Sequence, residues 1–170
     1  MTATTETLFT RQVSPSAYKI TTGTWTLTNS SGILFQLKTA TAETSVISIP
    51  ILLERRDGEI GVKLTSVEVP LRITGADLSG VVAGTLYRVN MKAVTTPGTN
   101  IDTTTLTITE TGTSVTLNAA DRLYTATISS PAYDFSTQDE CSYQLDLSLP
   151  CAASTVVRAY GAIVHYARPD

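Results

Sequence analysis

"CSYQLDLSL" occupies Cys141 to Leu149, and its alternation decides the fold class. Cys141, Tyr143, Leu145, Leu147 and Leu149 share one parity; Ser142, Gln144, Asp146 and Ser148 share the other. Successive side chains of a strand point to opposite faces. The segment therefore reads as a half-buried strand with one apolar and one wet face. Just before it, "PAYDFSTQDE" (131–140) reads as a loop and "RLYTATISS" (122–130) as a further strand. Just after it, "TVVRAYGAIVHYA" (155–167) is apolar on both parities around Gly161, as expected of a central or doubly covered strand.

The same punctuation recurs towards the N-terminus. "TWTLT" and "ILFQLK" are short strands separated by the turn "NSSG" (29–32). "SVISIPILLE" (45–54) is a strand whose Pro50 removes a ladder donor, which places that position at an edge, a bulge or a strand end. Asp57-Gly58 marks a hairpin. In "EIGVKLTSVEVPLRIT" Ile60, Val62 and Leu64 hold one parity, and Val67, Val69, Leu71 and Ile73 the other. The switch at Thr65-Ser66 predicts a bulge or a bend between two sheets. "TGADLSG" (74–80) is expected to be a loop with one helical turn at Ala76–Leu78. "VAGTLYRVNMKAV" (82–94) is a long strand and "TTPGTN" a turn. "IDTTTLTITETGT" (101–113) then sets Thr103, Thr105, Thr107, Thr109, Thr111 and Thr113 on one face, with Leu106 and Ile108 opposite; Gly112 breaks it into a hairpin with "SVTLN".

No segment sustains a 3.6-residue period beyond one or two turns, and no fixed repeat is present. The expected fold is all-β: a two-sheet antiparallel, jelly-roll-like sandwich of about eight to ten strands. Residues 1–17 are polar, threonine-rich and without period, and read as an extended N-terminal arm. Residues 18–170 read as a single sandwich domain.

Composition agrees. Of 170 residues, 42% are hydrophobic and 16% charged, against about 25% charged in an average globular protein. Threonine, present 31 times, fills the gap with a β-branched yet polar side chain. The net charge of −3 and the absence of a basic stripe argue against direct nucleic-acid binding; the Arg55-Arg56 pair is flanked by Glu54, Asp57 and Glu59. No stretch reaches the roughly 18 apolar residues that span a bilayer. The first residues lack the apolar core of a secretory signal, so none is expected.

Few residues carry a chemical signature. His165, the one histidine, lies in an apolar strand; a hydrolytic site would need it beside Cys141, Cys151 or a serine in an open cleft. The two cysteines flank one strand of roughly 30 Å, beyond the reach of a disulfide unless the chain folds back at Pro150. Two thiols and a distant histidine make no zinc site. Asp134, Asp139 and Glu140 cluster in one loop without the spacing of a calcium loop. Trp25, Tyr87, Tyr124, Tyr133, Tyr143, Tyr160 and Tyr166 could form a sugar-stacking platform, but their alternating positions favour packing. The threonine row occurs once with no neighbouring repeat, so it reads as an exterior strand face and not an ice- or sugar-binding array. No catalytic residue, metal ligand or cofactor is assigned.

The order of features, from the arm and the strands around Trp25 through "SISIPI…GVKLTSVEVPLRIT" and "GTLYRVNMKAV" to "YQLDLSLPCAASTVVRAYGAIVHY", resembles the single jelly-roll and sandwich proteins of bacterial and archaeal viruses. That resemblance of layout, over about Trp25 to Tyr166, implies a non-enzymatic capsid, capsid-decorating or fibre-head subunit. It implies a homo-oligomer, commonly a trimer, that contacts other virion proteins and resides in the virion after synthesis in a host cytoplasm. The alternative is a carbohydrate- or receptor-binding sandwich that takes a host-surface glycan, with Tyr133 and Phe135 of "PAYDF" as candidate contacts.

Overall fold

The computed structural model describes residues 6–51, 63–90, 101–112, 121–128 and 141–169. Twelve strands lie among them. The chain runs β1 (Glu6–Val13), a 3₁₀ turn (Pro15–Ala17), β2 (Lys19–Thr22), β3 (Trp25–Ser30), β4 (Ile33–Lys38), β5 (Glu43–Ile51) and β6 (Lys63–Gly75). It continues through β7 (Ala83–Asn90), β8 (Ile101–Gly112), β9 (Asp121–Thr127), β10 (Cys141–Cys151), β11 (Thr155–Ala159) and β12 (Ala162–Pro169). Every pairing is antiparallel. The strand count exceeds the eight to ten expected because Glu6–Val13 and Lys19–Thr22 also form strands and the C-terminal segment divides into β11 and β12.

The fold is a two-sheet, jelly-roll-like sandwich. One sheet runs β2-β5-β10-β7-β8 and the other β8-β9-β6, then β11 and β12 along β6, with β4-β3 outside β11 and β1 outside β12. The threonine-rich β8 belongs to both. Ile101–Leu106 pair with β7, and Thr107–Gly112 pair with β9. One strand thus turns the corner and joins the sheets along that side. Strands β5, β6 and β7 alternate between sheets, so the chain crosses the sandwich at each step.

The core forms where the inner faces meet. Tyr143, Leu145, Leu147 and Leu149 of β10 are buried, as their alternation predicts, beside Ile47, Ile49 and Ile51 of β5. Val67, Val69, Leu71 and Ile73 of β6, with Tyr124 and Ala126 of β9, close the core from the other sheet. Each fully buried leucine contributes about 1.5–3 kcal/mol of transfer free energy.

Local chemistry explains the irregularities. The 29–32 turn has positive φ at both Ser31 (54°) and Gly32 (80°), which suits a two-residue hairpin. At the parity switch in β6, His165 faces Ser66 while Tyr166 faces Leu64, leaving Thr65 as the extra residue. Its hydroxyl donates to the His165 carbonyl at 3.0 Å, and its own carbonyl accepts from Ile128 N at 3.0 Å. The switch is a bulge within one sheet. Pro50 lies beyond the β2 ladder, which ends opposite Ser48. The expected helical turn at Ala76–Leu78 does not form. Ala76 N and Ser79 N donate instead to the carbonyls of Ser154 and Pro150, and Leu78 bridges Cys151. The Asp57-Gly58 hairpin, the Arg55-Arg56 pair, "TTPGTN" and "SVTLN" lie outside the described residues.

Candidate functional site

Pro70 organises the outer face of the second sheet. It has no N–H to give the neighbouring strand, and Tyr160 N reaches its carbonyl at a long 3.4 Å. The ladder along β6 breaks there, between β11 and β12. Gly161 absorbs the break at φ 134°, a conformation that disfavours side chains. The break leaves half-buried Tyr160 on the outer face beside Pro70 and Leu123, which pair across β6 and β9.

A depression of about 280 Å³ opens there, lined by Pro70, Leu71, Arg72, Asp121, Arg122, Leu123 and Tyr160. One wall is apolar; the other holds Arg72 Nε 3.9 Å from Asp121 Oδ1. Below, Phe35 meets Tyr160 with ring centroids 5.7 Å apart and tilted by 60°. The Arg158 guanidinium lies 5.2 Å from the Phe35 centroid. Arg72 and Arg158 face each other across β6 and β11. Such like-charge pairs are unfavourable, and Asp121 and the Phe35 ring offset the repulsion. At the adjoining end, Arg122 Nε lies 2.9 Å from Glu110 Oε1 and its Nη2 3.8 Å from Asp77 Oδ2. The groove joins a ring, two apolar side chains and an ion pair on one sheet face. It can therefore hold a small polar molecule with an apolar face.

The other candidates distribute differently. Tyr124, Tyr143 and Tyr166 are buried in the core, and burial pushes the Tyr166 phenol up to about 12. Tyr124 is also raised, by burial and by Glu110 beside it. Trp25 packs against the core with its Nε1 buried and unpaired, while Tyr87 stays half-buried. Tyr133, Phe135, Asp134, Asp139 and Glu140 lie outside the described residues.

His165 sits on the outer face, its Nε2 3.3 Å from Glu68 Oε2 without hydrogen-bond alignment. Cys151 is buried in the opposite sheet as a free thiol, so sandwich thickness separates the two. Ser66 stands opposite His165 across β6 and β12, and both are half-buried. Cys141 and Cys151 end the same extended strand, which rules out a bridge between them within one chain. No group of three His, Cys, Asp or Glu residues among the described residues could hold a metal ion. No described helix is long and apolar enough to cross a membrane.

Thr103, Thr105, Thr107 and Thr109 are exposed. The row does have a neighbour. Thr125 and Thr127 of β9 stand opposite Thr109 and Thr107, and Thr85 of β7 stands opposite Thr105. The sequence reading missed these ranks because each partner is only one or two residues long. The groove was missed too, because Tyr160, Pro70 and Leu123 are far apart in the chain; the proline within a strand was its one local signal.

No family model matches the chain, and no curated protein is similar to it in sequence. Among solved structures, it is similar to a carbohydrate-binding module described for specific mannan recognition. The identity is 8%, over 95% of this chain and 98% of that one, with a TM-score of 0.40. A likeness that slight carries no weight for the ligand of this chain.

Proposed function

We propose that this chain is a non-enzymatic binding module that takes a carbohydrate in the groove beside Tyr160. The observation that carries the reading is the apposition of an apolar wall (Tyr160, Pro70, Leu123) to the Arg72–Asp121 pair. A sugar ring presents C–H faces that suit aromatic and apolar surface. Its hydroxyls need both a donor and an acceptor, and guanidinium and carboxylate supply them. The volume lies near the lower end of small-molecule sites, which run from about 300 Å³. A glycan array tests the reading, followed by titration calorimetry on any hit. Tyr160→Ala and Arg72→Met are each expected to weaken binding about tenfold or more while the circular dichroism spectrum is retained. A wild-type protein that binds no glycan on a broad array overturns it.

A second reading is the virion structural subunit, residing in the particle and packing against copies of itself and other virion proteins. It draws on the threonine ranks of β8 and β9, which carry no charge of their own. Native mass measurement checks it: a protein strictly monomeric at high concentration counts against this role.

A further inference from the structure

Among the described residues, β1, β2 and β3 each pair on one side only. An open edge offers unpaired N–H and C=O groups to another strand, and proteins blunt such edges with charge, proline or bulges. Two of these edges are blunted. Strand β1 carries the exposed Arg11, and β2 carries Lys19 and a register shift between Ile20 and Thr22. Strand β3 is not. "WTLTNS" has no charge and no proline, and pairs without interruption from Trp25–Lys38 to Ser30–Ile33. Its hairpin also carries two of the exposed large apolar side chains, Leu27 (46%) and Ile33 (56%).

We infer that β3 is a self-association edge, and that a second copy of this chain adds its own β3 antiparallel to it. The middle of the strand selects this occupant, because Thr26-Leu27-Thr28 is symmetric about Leu27, with Trp25 then meeting Asn29. A two-fold axis there sets Leu27 against Leu27 of the other copy and Thr26 against Thr28 in both directions. Thr–Thr is a favourable cross-strand pair, Leu–Leu buries apolar surface, and no like charges meet. The interface is isologous and closes at two copies. The two second sheets become one continuous sheet. This association is separate from the carbohydrate reading and requires no ligand.

Sedimentation velocity across a concentration series, without glycan, is the test. The wild type is expected to form a dimer. Thr26→Lys/Thr28→Lys puts lysines directly opposite each other and is expected to give a monomer that keeps the circular dichroism spectrum of the wild type. Thr26→Glu/Thr28→Glu does the same, and mixing the two variants restores a dimer through Lys–Glu pairs. Thr10→Lys on the β1 edge leaves dimerisation intact. In a Cys141→Ser background, Leu27→Cys forms a disulfide-linked dimer on mild oxidation, since directly paired Cα atoms lie about 4.5–5.5 Å apart. A monomeric wild type at millimolar concentration overturns the inference. So does a dimer that survives both charge variants, or one that Leu27→Cys fails to cross-link.

Discussion

Lys38 is fully buried, although lysine is among the residues least often found inside. Its ammonium donates to the carbonyls of Thr39 and Thr41 at 2.9 and 2.7 Å and lies 3.7 Å from Glu43 Oε1. Glu43 in turn accepts from Thr24 N at 3.1 Å and Ser45 Oγ at 3.2 Å. One lysine thus ties the β4–β5 connection to the starts of β3 and β5. Removing the charge leaves carbonyls and a carboxylate partly unsatisfied, and such breakage is costly where water is excluded. Lys38→Met is expected to lower unfolding free energy by about 3 kcal/mol, read from the shift of a urea-unfolding midpoint. In the sequence, Lys38 looks like the polar end of "ILFQLK". Its burial depends on the strands that close over it, so local pattern gives no sign of it.

Strand boundaries follow local chemistry more faithfully. The bulge at Thr65, the turn at Ser31-Gly32 and the alternation of β10 all match what their residues prescribe. The break at Tyr160–Gly161 is different, because its cause, Pro70, lies in another strand. Gly161 is also where β1 closes down: a Cβ there would come within 2.8 Å of the Val13 carbonyl, at a φ of 134°. Gly161→Ala combines backbone strain with a clash against main chain. It is expected to destabilise the protein by about 1–3 kcal/mol. Hydrogen exchange should localise the effect, with the β1 amides losing protection first; unchanged protection from Glu6 to Val13 would show that β1 does not depend on this close approach.

At the scale of the whole molecule, the sandwich encloses Cys151, whose thiol is pushed up by burial and by Glu43 and drawn down by Lys38. In a Cys141→Ser variant this single thiol is expected to resist Ellman's reagent at neutral pH and react fully only across the global unfolding transition. Free-thiol kinetics in native buffer would contradict the enclosure. The class of fold was legible because period-two alternation in Cys141–Leu149 and Val67–Ile73 is a property of neighbouring residues. The candidate groove was only hinted at, since Pro70 is a visible anomaly but Leu123 and Tyr160 reach it through strand pairing. The threonine row shows the division most clearly. The sequence by itself determined that β8 is a strand with a hydroxyl face and that Leu106 points inward. Only the tertiary structure decided that this strand bends from one sheet to the other and that Thr125 and Thr127 extend its hydroxyl face. Side-chain alternation is set within a strand, whereas the choice of pairing partners is made by burial across the whole chain.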